Sequence, residues 1–135
     1  MSSSLVWEII GKNSAFILKK RNLKHPFNTE RNHITNTNTY RHSTLVHRRT
    51  VGIEEPKDKR GIVLVANTHA VRKPAKSIVK MPMKYGPRRA NMKLRNFLVK
   101  GGYRKDLRAV ALKRASKIMR TQRTPKVRKE KATKA

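Results

Sequence analysis

Two apolar, β-branched runs bracket a polar segment near the middle of the chain. Thr44 to Asn67 reads TLVHRRTVGIE, then EPKDKRG, then IVLVAN. Val, Ile and Thr suit a pleated, half-buried surface, where branching at Cβ costs them less than in a helix. Pro56, Asp58 and Gly61 between the runs favour a turn. The pattern predicts a β-hairpin with a longer loop, and it is the best candidate for a core. With period two, Leu45, His47, Arg49, Val51 and Ile53 share one face of the first strand, and Val46, Arg48 and Thr50 share the other. Neither face is cleanly apolar, so His47 to Arg49 are expected to interrupt the strand where it leaves the core. Ile62 to Ala66 is apolar on both faces, which argues for a central strand covered on both sides.

Around the hairpin the pattern changes. Leu5, Val6, Ile9 and Ile10 recur at helical spacing, with Ser4 able to cap a short N-terminal helix and Gly11 suited to its exit. Trp7, among apolar neighbours, reads as a packing residue before a base-stacking one. Ala15 to Leu18 is a short apolar run consistent with a further strand of the same sheet, and it leads into Lys19, Lys20 and Arg21. Residues 22–43 are polar and irregular. Asn and Thr side chains there compete with the backbone for hydrogen bonds, so the segment is expected to be a long irregular loop, disordered alone or laid along a partner, with Phe27 and Tyr40 as anchors. Three prolines and spaced cations make 71–87 an expected extended connector.

Two helical patterns close the chain. The first spans 88–100, with Met92, Leu94, Phe97 and Leu98 as its apolar members, and Gly101–Gly102 break it. In the second, Asp106 is a candidate N-cap. Leu107, Val110, Ala111, Ala115 and Ile118 line one face of it. Lys113, Lys117, Arg120 and Arg123 lie on another. Arg114 falls on the apolar stripe, where snorkelling at an edge is the available account. Residues 124–135 read as a basic disordered tail. The expected architecture is therefore α+β: one domain over 1–123, in which a small, mostly antiparallel sheet packs with an N-terminal helix and two C-terminal helices, plus basic extensions.

Charge changes the picture most. The chain has 135 residues, of which Lys plus Arg number 35 and Asp plus Glu number 7, for a net charge of +28. From Gly61 onward, 23 cations face two acids, Asp106 and Glu130. A surface of one sign repels itself and calls for a polyanion close by. With only 36% hydrophobic residues, a modest core is expected. Absence of cysteine removes disulfides, thiolate zinc sites and thiol catalysis. The opening MSSSLVWEIIGKN lacks the basic and apolar regions of a signal peptide, and no apolar run approaches the roughly 18 residues of a membrane span. His25, His33, His42, His47 and His69 show no zinc-ligand spacing. No phosphate-cradling glycine motif occurs and no nucleophile has an evident base, so neither metal, cofactor nor catalysis is expected. Glu54, Glu55 and Asp58 read as a solvated turn.

The cations are dispersed rather than gathered on one helix, unlike a sequence-specific DNA reader. Dispersal suits folded RNA, whose irregular, closely spaced phosphates are recognised by form. The residues expected to contact RNA are Lys19, Lys20, Arg21, Arg41, His47, Arg48, Arg49, Arg72, Lys73, Arg88, Arg89, Arg95, Arg104, Lys105, Arg108, Lys113, Arg114, Lys117, Arg120 and Arg123.

Four stretches resemble one family in combination: NSAFILKKRN (13–22), LVHRRTVGIEEP (45–56), GIVLV (61–65) and YRKDLRAVALKRASKIMRTQ (103–122). The chain resembles the eukaryotic large-subunit ribosomal protein twenty-eight family over most of 2–123. It departs at Thr44, where that family tends to have Gly, and it matches poorly over 71–87 and the last dozen residues. The resemblance implies a non-enzymatic component of the cytosolic large subunit, bound to ribosomal RNA and neighbouring ribosomal proteins and entering through nucleolar assembly. The alternatives are an assembly factor with a related RNA-binding domain and, further off, a basic chromatin protein or a membrane-active cationic helix.

Overall fold

The computed structural model describes residues 2–68 and 73–123, so Arg72, His69 and the tail at 124–135 lie outside the described residues. The elements in order are α1 (Ser3–Ile10), β1 (Ile17–Leu18), β2 (Phe27–Asn28), β3 (Val51–Glu54), β4 (Ile62–Asn67), β5 (Ile78–Met83), α2 (Pro87–Val99) and α3 (Arg108–Thr121). Single 3-10 turns lie at Tyr40–His42, Pro74–Lys76 and Lys105–Leu107.

The hairpin forms as β3 and β4, antiparallel, with Ile53 opposite Leu64. Its turn is closed by the Lys59 N–H on the Pro56 carbonyl at 3.0 Å. The first strand is shorter than the sequence suggests. Leu45 to Thr50 lie outside β3, so His47, Arg48 and Arg49 precede the strand rather than interrupt it. The apolar run of β4 does make it the central strand, with order β3-β4-β5. Ile62 and Leu64 join the main core, and Val65 on the opposite face is also buried.

Two expectations about the sheet need correction. Ala15–Leu18 contributes only β1, which pairs with β2 in a separate two-stranded sheet instead of joining the hairpin. The third strand comes from the segment read as a connector: Ile78–Met83 pairs with β4 along its length, with Pro82 opposite Val63. Proline cannot donate to a ladder and is tolerated on an edge strand, which is where β5 lies. Within the segment, the paired strand follows the 3-10 turn at Pro74–Lys76.

The two helices cover the sheet. Leu94 and Leu98 of α2 and Ala111 and Ala115 of α3 are fully buried, in one cluster with Val51, Ile53, Ile62 and Leu64. Paired alanines let α3 approach closely, and each fully buried Leu gains about 1.5–3 kcal/mol by leaving water. The α3 stripe is Leu107, Ala111, Ala115 and Met119, with Val110 and Ile118 only partly buried at its margins. Met92, expected on the apolar side of α2, is exposed, and Ala90 takes the buried place. Pro87 begins α2 at its first position, where the missing N–H costs nothing. Asp106 does not cap α3. The residue before the helix is Leu107, and the Asp106 carboxylate is engaged by arginines instead.

Residues 22–43 are ordered by a short backbone bridge, Phe27 to Thr37, as well as by side chains. The Asn28 N–H meets the Asn36 carbonyl at 2.8 Å and the Asn38 N–H meets the Pro26 carbonyl at 2.9 Å. Asn22, Asn32 and Asn36 all have positive φ, a conformation asparagine tolerates better than most residues. The loop closes on β3 at Gly52, where a Cβ would stand 3.0 Å from Asn32 Cα and 3.1 Å from its Cβ. That close approach sets Ile34 into the main core.

Candidate nucleic-acid interface

Glu30 is the centre on which the loop is built. Its carboxylate accepts from Asn28 Nδ2 at 2.6 Å, the Thr44 N–H at 2.6 Å, Thr44 Oγ1 at 2.8 Å and Ser43 Oγ at 3.3 Å. Burial alone would raise its pKa. The hydrogen bonds from Asn28 and Thr44 outweigh that and hold it below 4.5. Thr44 thus gives Glu30 a hydroxyl donor as well as the amide. His33 Nδ1 accepts from the Asn36 N–H at 2.9 Å and the Thr35 N–H at 3.3 Å, so the ring is held neutral. Burial, against the pull of Glu30, keeps His33 below its ordinary 6.5. Burial and the nearby Arg41 and Arg104 do the same for His42.

These shifts share one sign. In each case the unfolded chain binds more protons than the folded chain below the group's ordinary value, so stability falls with falling pH. The loss should begin as pH drops below about 6.5, where the unfolded histidines start to protonate. It should deepen below 4.5 as unfolded Glu30 takes up protons. Urea midpoints of the free protein measured from pH 7.5 to 4 should decline throughout. A His33→Asn variant should show the shallower decline between pH 7 and 5, and an unchanged slope in that variant would count against the assignment.

This hub holds one side of a cation cluster. Arg104 grips Asp106 with Nε and Nη2 at 2.9 and 2.8 Å. It also donates to the carbonyls of Arg49 and Arg41, both at 3.0 Å. The first cause of the lowered Asp106 pKa is this hydrogen bond from Arg104. Arg41 reaches the same carboxylate at 3.5 Å with its own side chain mostly in solvent. His47 Nε2 lies 2.8 Å from the Tyr40 carbonyl, which can only accept, so that nitrogen carries the proton. The Arg49 guanidinium lies 5.9 Å from the Tyr103 ring centre. Arg41, His47, Arg49 and Arg104 are thereby gathered, and Arg48 and Lys105 are exposed beside them in sequence.

A second group surrounds Tyr85 at the start of α2. Lys93 Nζ stands 4.0 Å and the Arg89 guanidinium 4.8 Å from its ring centre, with Arg88 exposed alongside. A hydrogen bond from Lys93 leads the causes lowering the Tyr85 pKa. On α3, Lys113, Lys117 and Arg120 are exposed, as are Arg108 and Arg123 at its ends and Arg95 on α2. Lys19, Lys20 and Arg21 are exposed on the loop between β1 and β2, and Lys73 is exposed beside the undescribed Arg72.

Arg114 stands apart. Its Nε donates to the Ile53 carbonyl at 3.1 Å and its Nη1 to the Ile34 carbonyl at 2.8 Å. It is not a snorkelling edge cation: it ties α3 to the outer edge of β3 and to the loop. Lys93 is outside the set expected to meet RNA. The signal for Lys93 is its four-residue spacing from Arg89 on one helix. The signal for Glu30 is its isolation as the sole acid between Glu8 and Glu54. No helix among the described residues is long and apolar enough to cross a membrane.

The model of the Ribosomal L28e protein family matches residues 5–121. The chain belongs to that family. Among curated relatives, the large ribosomal subunit protein eL28 of Schizosaccharomyces pombe is 32% identical over 130 residues, covering 93% of this chain and 96% of the relative. That of Caenorhabditis elegans is 28% identical over 122 residues, covering 90% and 91%. In this L28e chain the matched span takes in the Glu30 hub, the Arg104 cluster and both C-terminal helices. The poorly resembling 71–87 segment falls inside the span as well, and there it supplies an edge strand.

Proposed function

We propose that this L28e chain is a structural constituent of the cytoplasmic large ribosomal subunit, reached by way of nucleolar assembly, that stabilises folded ribosomal RNA through dispersed phosphate contacts. Membership of the family carries the ribosomal part. The observation that supports the RNA part is the division of labour among the cations. Arg104 and Arg114 donate inward to main-chain carbonyls, and around them exposed Lys and Arg side chains stand on several faces. A protein embedded among RNA segments needs fixed cations on more than one side, because each phosphate neutralised releases counterions and lets segments approach. The partners that follow are large-subunit ribosomal RNA and neighbouring ribosomal proteins.

Sedimentation of tagged protein at moderate salt tests the reading: a constituent stays with mature subunits, whereas an assembly factor leaves them. Reversing Arg48 with Arg49 should reduce incorporation severalfold more than reversing Lys131 with Lys134. The first pair adjoins the Arg104 cluster; the second lies outside the described residues. With purified protein, removing any one phosphate-binding cation should lower the slope of log affinity against log salt by about one. Equal incorporation of the two variants would mean that bulk charge, not placement, decides.

A further inference from the structure

A cavity of about 500 Å³ opens between the end of α1 and the loop joining β1 to β2. That is within the size range of small-molecule sites, about 300–1,000 Å³. Its walls combine two chemistries. Trp7, Leu23 and Pro26 are apolar, while Lys12, Lys19 and Lys20 bring three cations to the same opening. We propose that this cavity holds a single unpaired nucleotide of RNA, its base on the Trp7 side and its phosphates against the lysines. The inference rests on the RNA-binding reading above and gives one part of that surface a specific ligand.

The geometry is built rather than incidental. Leu18 pairs with Phe27, and the segment joining the two strands brings Lys19, Lys20, Leu23 and Pro26 to the same cavity, cations and an apolar wall together. Asn38 Nδ2 donates to the Gly11 carbonyl at 2.7 Å and fixes the end of α1 against the loop. A Cβ at Gly11 would lie 3.1 and 3.3 Å from indole carbons, so glycine leaves the Trp7 ring its place. The indole edge contact with Tyr40, at 5.8 Å between ring centres, braces it further. A rigid aromatic beside an apolar wall and a cation set is the arrangement that accepts a splayed base without reading its sequence, because every base has a π-face. An apolar peptide would use the wall but leave three lysines unmatched.

Trp7 is the chain's single tryptophan, so its fluorescence reports on this cavity alone. The test titrates the full chain, at fixed moderate salt, with single-stranded decaadenylate RNA and with an abasic strand of equal length and phosphate number. The base-bearing strand should quench Trp7 and bind about tenfold tighter. Trp7→Phe should keep that preference. Trp7→Leu should lose it, with affinity for the abasic strand unchanged. In assembled subunits, a photoreactive group at position 23 should crosslink to RNA. Equal affinities for the two strands, equal quenching by both, or a crosslink to protein alone would overturn the nucleotide site. If folded ribosomal RNA still bound with steep salt dependence in those cases, the broader reading would survive; loss of all RNA binding would end both.

Discussion

Replacing Glu30 with alanine should lower the free energy of unfolding by about 3–5 kcal/mol, the cost of taking the shared acceptor from several buried donors at once. The carboxylate receives donors from Asn28, Ser43 and two groups of Thr44, and the residue is only 7% exposed. Alanine leaves those donors facing each other with no acceptor, and each buried unsatisfied group costs about 1–3 kcal/mol. Glu30→Gln keeps one acceptor but brings an amide donor toward the Thr44 N–H, so it should recover less than half of the loss. Urea titrations at pH 7 measure both. A loss under about 1 kcal/mol in the alanine variant would mean that the loop is not held by this network. Because the loop carries Arg41 and feeds Ile34 into the core, the destabilised variant should also incorporate poorly into subunits, although Glu30 itself is buried.

What is readable in the sequence follows from which forces are local. The β3–β4 hairpin, the central placement of β4 and the α3 stripe rest on periodicity, and periodicity is a property of neighbouring residues. The β5 strand is obscured because Pro82 is a breaker in most settings; its tolerance depends on lying at an edge, which is a fact about the partner strand. The same holds for β1. Ala15 to Leu18 is apolar enough for either sheet, and only tertiary pairing chooses β2. Residues 22–43 read as structureless because much of their order comes from Asn, Glu and His side chains bonding across gaps of two to fourteen residues. Asp106 looks like a helix cap, but in a chain this cationic two arginines compete for it. The candidate site is legible as composition. Which cations point outward is not, since Arg104 donates to main-chain carbonyls while Lys105, its neighbour in sequence, is exposed.

That division gives the second large expected effect. Arg114→Ala should cost about 2–4 kcal/mol of stability, because it removes two charge-assisted hydrogen bonds to main-chain carbonyls. One of those carbonyls, at Ile53, lies on β3, an outer strand of its sheet with β4 on one side only. Arg114→Lys should recover less than half, since a point donor cannot span the Ile53 and Ile34 carbonyls as the planar guanidinium does. The double reversal Lys113→Glu with Lys117→Glu, one residue before and three after on the same helix, should do the opposite. Stability should change little, as at exposed sites generally, while the salt slope for ribosomal RNA should fall by about two. If Arg114→Ala left stability intact but reduced the salt slope by one, Arg114 would be a phosphate contact after all. The inward pair of hydrogen bonds would then belong to the free protein and be exchanged on binding. The two measurements together therefore separate cations that build the scaffold from cations that the scaffold displays.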